Sequence, residues 1–175
     1  MQKCASSWNR AEVLRLWAQI KESMPSDWPT GKQFEYLVIR AFELEGIDVR
    51  WPYTVLLKGV PGVVEQIDGA IYLHKQAFIV ESKNLSEPAA IEALARLRFR
   101  LERRPPGTMA VLFGFSDFTV ATEVFAQYAS PMNVLLWNRN DMDYALTRGQ
   151  MAQGLEDKMQ YAIEFGNPSL RLEDH

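Results

Sequence analysis

Asp68, Glu81 and Lys83 are the residues of this 175-residue chain whose types and spacing could do chemistry together. They lie in two segments, VVEQIDGAIYL and QAFIVESK, whose β-branched and aromatic content predicts strands, separated by His74 and Lys75. A hairpin closed over those two residues pairs Leu73 with Gln76. Extended along the ladder, that register sets Asp68 opposite Glu81, with Cβ atoms roughly 5 Å apart, and leaves Lys83 on the same face. His-Lys is not a turn of the Asn-Gly type, however, and a three-residue loop would move the register by one.

Two carboxylates facing each other on a half-buried sheet repel unless a cation sits between them. Mg²⁺ is the natural choice, with Mn²⁺ able to substitute: it prefers oxygen ligands and keeps waters, so Asp68, Glu81 and the Ser82 carbonyl could hold it. Lys83 would then stand beside a metal-bound water, orienting it and offsetting charge that builds at phosphorus, while the metal lowers the water's pKa. The reaction class that follows is phosphodiester hydrolysis. The bland alternative is a solvated strand face with a surface Glu–Lys pair, which the buried-looking AFIV run disfavours. In the same register Gln66 faces Lys83, where it could hold the ammonium, touch substrate, or simply stand exposed. Glu65 points to the other face and reads as structural, His74 reads as a turn residue, and Asn84 suits turn chemistry better than phosphate contact.

At these residues the chain resembles the PD-(D/E)xK restriction-endonuclease-like superfamily, whose pattern is an Asp, a gap ending a hairpin, then Glu-x-Lys. Here it reads IDG at 67 to 69 and VESKN at 80 to 84. GKQFEYLVIRAF at 31 to 42 is similar to the family's first helix with its Gly-x-x-Phe-Glu signature, and FGFSDFTVATEVFA at 113 to 126 to the strand, Phe-Thr and helix that close Mrr-type restriction enzymes. The resemblance spans about residues 31 to 147. It implies metal-ligating roles for Asp68 and Glu81, a catalytic Lys83, an acidic helper at Glu35 and DNA as substrate, in restriction or anti-phage defence. Glu35 itself borders the apolar face of its helix, where it could serve a metal or be an ordinary helix-edge carboxylate. Many Mrr-type members carry Gln where Glu81 stands, and they usually have a separate DNA-binding domain for which 175 residues leave no room. A homodimer or a DNA-recognition partner protein is therefore expected, since one such site cuts one strand. The rival readings are a catalytically idle binding or assembly module on the same fold, and a DNA junction resolvase using the same residues.

The elements that must position these residues follow from periodicity. Residues 8 to 24 form an amphipathic helix with Val13, Leu14, Trp17 and Ile20 inward, closed by Pro25; residues 31 to 45 form a second, with Phe34, Leu37, Val38 and Ala41 on its buried face. A strand over 47 to 57 bends at Pro52. After the hairpin comes a helix over 87 to 104 with Pro88 early, then MAVLFGF as a buried strand, a helix capped by Ser116 or Asp117 ahead of Phe118 and Thr119, NVLLWN as another buried strand, and one or two closing helices. The order predicts an α/β fold: a mixed central sheet of about five strands flanked by helices, restriction-endonuclease-like, with an extra N-terminal helix. Its parts are an N-terminal helical extension at 1–30, a nuclease core at 31–147, and a C-terminal helix and tail at 148–175.

Composition sets the outer bounds. With 47% hydrophobic residues the chain can bury one core without disulfides, and the single cysteine, Cys4, excludes an internal one. Two histidines make a zinc site a poor expectation, and reduced thiol chemistry points to a cytoplasmic setting. No run suits a membrane span or a signal peptide. The net charge of −3 means that any nucleic-acid contact must be local or supplied by a partner. A basic stripe of Arg96, Arg100, Arg103 and Arg104, opposite Ile91, Leu94, Leu97 and Leu101, could track phosphates or merely be solvated. Trp8, Trp17, Trp28 and Trp51 are expected to pack the N-terminal helix onto the core or to present a partner surface.

Overall fold

The computed structural model describes residues 1–25, 27–29, 31–59, 61–84 and 91–174. A short helix α1 (Gln2–Ala5) precedes α2 (Arg10–Lys21). The latter starts at Asn9 because a capping box forms there: the Asn9 side chain accepts the Glu12 N–H and the Glu12 carboxylate accepts the Asn9 N–H. The next helix, α3 (Lys32–Leu44), buries Phe34, Leu37, Val38, Ala41 and Phe42, the face that its spacing predicts.

The expected strand over 47 to 57 is two strands, β1 (Asp48–Arg50) and β2 (Tyr53–Val55), which join different sheets. Pro52 lies between them, where its missing N–H interrupts no ladder. The segment VVEQIDGAIYL likewise divides, into β3 (Glu65–Ile67) and β4 (Gly69–Leu73), with Asp68 at the break. β5 (Gln76–Lys83), α4 (Ile91–Leu101), β6 (Met109–Gly114), α5 (Val120–Tyr128) and β7 (Val134–Trp137) follow. The early turn expected at Pro88 lies outside the described residues. Helix α5 is capped by Thr119, whose hydroxyl accepts the Thr122 N–H at 3.2 Å, and not by Ser116 or Asp117 as the sequence suggests. The Asp117 carboxylate instead receives the Asn138 amide and the Arg171 guanidinium.

The main sheet has five strands in the order β1-β4-β5-β6-β7, antiparallel from β1 to β5 and parallel from β5 to β7. This is the mixed, helix-flanked sheet expected from the sequence. β2 and β3 form a separate two-stranded sheet. Alternate side chains of β5 feed two cores: Phe78 and Val80 join α2 and α3 on one face, and Ile79 joins Leu94, Leu97 and Leu101 of α4 on the other. The segments flanking the central region share the first core, where Trp17 stacks on Phe34 at 6.0 Å.

Two closing helices, α6 (Arg139–Arg148) and α7 (Met151–Phe165), and a 3₁₀ turn at Leu172–Asp174 complete the chain. Lys158 of α7 is fully buried, its ammonium on Asp141 Oδ2 at 2.9 Å and on the Leu170 carbonyl. Asp141 also accepts the Asn138 N–H at 3.0 Å and the Leu172 N–H at 2.9 Å, so one carboxylate ties α6, α7 and the tail together. On the outer edge of β7 the Leu136 N–H bonds the Pro168 carbonyl at 3.0 Å. Among the described residues no helix is long and apolar enough to cross a membrane.

Candidate active site

The β4–β5 hairpin closes over His74 and Lys75, both with positive φ, +47° and +68°. That is the left-handed pair of a type I′ turn, adopted without Asn or Gly. It pairs Leu73 with Gln76, as the sequence reading requires, and the ladder runs on to Gly69 opposite Val80. There it stops. Gly69 has a φ of +156°, and a methyl at its Cα would lie 2.3 Å from Ile39 Cδ1 and 3.0 Å from the Arg50 carbonyl. Only glycine lets the chain turn this tightly between α3 and β1. We expect Gly69→Ala to lower stability by about 2–3 kcal/mol in urea denaturation, through this clash and the unfavourable φ; a change under about 0.5 kcal/mol would mean that Ile39 yields freely.

The corner sets Asp68 beside the end of β5 instead of on a further rung. Its Oδ2 accepts the Ser82 N–H at 2.9 Å, a donor that the ended ladder would otherwise leave to the edge. The N–H and C=O of one strand residue point the same way, which directs the Ser82 carbonyl to the same edge. Glu81 is buried, and its two oxygens take Lys83 Nζ at 2.5 Å and the Arg100 guanidinium. Glu35, in the first turn of α3, is also buried and pairs with Lys32.

Burial pushes the Asp68 carboxyl up to about 7, and the negative charges of Glu81 and Glu35 add to the rise against the Ser82 N–H and the Lys83 ammonium. Of the sequence-derived candidates, Asp68, Glu81, Ser82 and Lys83 therefore gather at the corner, and Glu35 lies within electrostatic reach of it. Gln66 does not join them. It pairs with Thr54 in the small sheet and is exposed, because the bend at Asp68 and Gly69 takes β3 out of register with β5. Asn84, just past β5, is half-buried.

The arginine stripe has a use that neither sequence alternative anticipates. Arg100 binds Glu81; Arg103 and Arg104 bind Glu65, the latter at 2.6 Å, while Arg96 is exposed. Glu65 is buried, and these guanidiniums hold its carboxyl below the ordinary value although desolvation acts the other way. The structural reading of Glu65 agrees with this. Arg100 and Lys32 are the site residues that sequence reasoning missed. Lys32 has a local signal, its three-residue spacing to Glu35 on a helix, whereas Arg100 meets Glu81 only once α4 is laid across β5.

The donor chemistry suits a hard divalent cation: all oxygen, three carboxylates, and one of them, Asp68, raised toward neutrality by burial and by the charges of Glu81 and Glu35. The fit needs side-chain rearrangement, since among the described residues no three such groups stand ready around a common point. Both Glu81 oxygens are taken up by cations, Lys83 and Arg100.

No family model and no curated protein sequence matches the chain. Among solved structures it is similar to AF1548, a protein of unknown function, at 12% identity and TM-score 0.49, covering 86% of this chain and 78% of that one. It is also similar to the MspJI restriction endonuclease in complex with a 27-mer oligonucleotide, at 18% identity and TM-score 0.46 over 92% of this chain. A third is the DNA modification-dependent restriction endonuclease AspBHI, at 13% identity and TM-score 0.43 over 91% of this chain. The chain spans 36% and 42% of the lengths of the two restriction enzymes.

Proposed function

We propose that this protein is a Mg²⁺-dependent deoxyribonuclease of the PD-(D/E)xK, Mrr-like kind, acting in the cytoplasm in restriction or anti-phage defence. The observation that carries the reading is Asp68 at the glycine corner, its carboxyl raised by burial and by Glu81 and Glu35, with Lys83 on the neighbouring strand. A buried carboxylate among carboxylates is a costly arrangement that a bound cation would relieve. Asp68, Glu81 and the Ser82 carbonyl are its ligands, with Glu35 as a further acidic ligand or helper; Mn²⁺ substitutes for Mg²⁺. When bound, such an ion would supply Lewis acidity and lower the pKa of a water. Lys83 would orient the attacking water and offset the charge that develops on the phosphate. Hydrolysis of both strands of a duplex takes two such sites, hence a homodimer or a recognition partner.

Supercoiled plasmid incubated with Mg²⁺ tests the proposal. Wild type is expected to nick or linearise it and to stop in EDTA, and Lys83→Ala to cut at least about 100-fold more slowly. Equal cleavage by wild type and variant removes Lys83 from the chemistry. A second reading, an idle binding module, draws on the pairing of both Glu81 oxygens with cations; Mg²⁺ leaving wild type unable to cut would favour it.

A further inference from the structure

The two cations on Glu81 are not equivalent. Lys83 sits two residues away on the same strand face, so its proximity is fixed by β5 itself. Arg100 arrives from α4, 19 residues along the chain, and its side chain is partly exposed at 19%. Around it Arg103 and Arg104 already neutralise Glu65. This side of the site therefore holds four cations, Lys83, Arg100, Arg103 and Arg104, against three carboxylates, Glu65, Glu81 and Asp68. In a chain of net charge −3 that local positive surplus is available to an anion. A guanidinium binds phosphate with the same planar fork that it offers a carboxylate, so it can change partners without changing shape.

We propose that Arg100 is an exchangeable counter-ion. In the metal-free protein it holds Glu81 Oε2, and when a divalent cation takes that carboxylate the guanidinium turns to a backbone phosphate of the DNA. Metal and DNA then bind with positive coupling, because each removes a competitor of the other. The inference rests on the reading of Asp68 and Glu81 as metal ligands.

Two equilibrium measurements on the full chain test it without turnover. Titrated calorimetrically with Mn²⁺ alone, Arg100→Gln is expected to bind roughly 5-fold or more tightly than wild type, since no guanidinium has to be displaced. Binding of a short DNA duplex is then measured against salt in Ca²⁺ and in EDTA. Each phosphate contact contributes about 0.9 to the slope of log K against log salt. The slope of Arg100→Gln is expected to fall short of wild type by about 0.9 in Ca²⁺ and to match it in EDTA. Arg100→Lys keeps the charge and is expected to return both quantities toward wild type.

Unchanged or weaker Mn²⁺ binding by Arg100→Gln, or a slope deficit of equal size in Ca²⁺ and EDTA, overturns the exchange and leaves the metal ligands standing. Absence of Mn²⁺ binding by wild type, or equal binding by Asp68→Asn, removes the ligands themselves and the exchange with them.

Discussion

Asp68→Asn is expected to act in two opposite directions: cleavage falls below detection, and the metal-free protein becomes more stable at pH 8 by something on the order of 4 kcal/mol. The second effect follows from a carboxyl raised from 3.8 to about 7, at about 1.36 kcal/mol per pH unit. A carboxyl whose folded-state pKa lies above its unfolded value favours the fold while protonated. That contribution is fully present below about pH 4 and is lost as pH rises through about 7. Wild type therefore pays to ionise Asp68 in place at pH 8, whereas an amide does not ionise. Its oxygen can still accept the Ser82 N–H, and an uncharged amide is no longer repelled by the Glu81 and Glu35 carboxylates. Urea denaturation at pH 4, 6 and 8 checks the prediction: the variant's profile should lack the Asp68 decline. Added Mn²⁺ should stabilise wild type at pH 8 and leave the variant unmoved. A variant no more stable than wild type at pH 8 would show that the corner does not strain its carboxylate.

Asp141→Ala is expected to cost about 3–5 kcal/mol, the range for removing one partner of a buried ion pair. The substitution strips the fully buried Lys158 of its counter-ion, and it leaves the Leu172 and Asn138 N–H groups without their acceptor. Burial already holds the Lys158 ammonium below its ordinary pKa, with Asp141 opposing that shift. Combining Asp141→Asn with Lys158→Met removes both charges and keeps one oxygen, so that one of the two backbone N–H groups on Asp141 loses its acceptor. The double variant is expected to lose about 1–3 kcal/mol, less than Asp141→Ala. Thermal and urea denaturation of Asp141→Asn, Lys158→Met and the double variant close the cycle; an Asp141→Ala variant that loses under about 1 kcal/mol would show that the pair is not desolvated.

Much of the candidate corner was legible in the sequence because strand periodicity and a two-residue loop determine which residues face one another. The Leu73–Gln76 register is realised as far as Gly69 and Val80, but Asp68 reaches the Ser82 N–H from a bend instead of standing opposite Glu81 on a further rung. What stayed hidden depends on the third dimension. Gly69 reads as an ordinary glycine until Ile39 stands over it, and the bend that it permits is what removes Gln66 from the site. Arg100 reads as one member of a surface stripe until α4 crosses β5. Lys158, in GLEDKMQYA, carries the pattern of a solvated helix residue, and only the returning tail encloses it. Local signals name side chains and faces; the partner supplied by a distant element has no local signature.

The tail also governs how this molecule behaves toward its neighbours in a crowded solution. β7 ends the sheet on one side, and an uncovered end strand offers its amides to any other extended chain, the usual opening for runaway strand-on-strand association. The Pro168 carbonyl occupies the Leu136 amide on that side, and a proline contributes no N–H with which to carry the ladder further. The last residues thus work as a stopper as well as a clamp, and chains clipped before residue 167 would present a sticky border where the intact protein has a finished one.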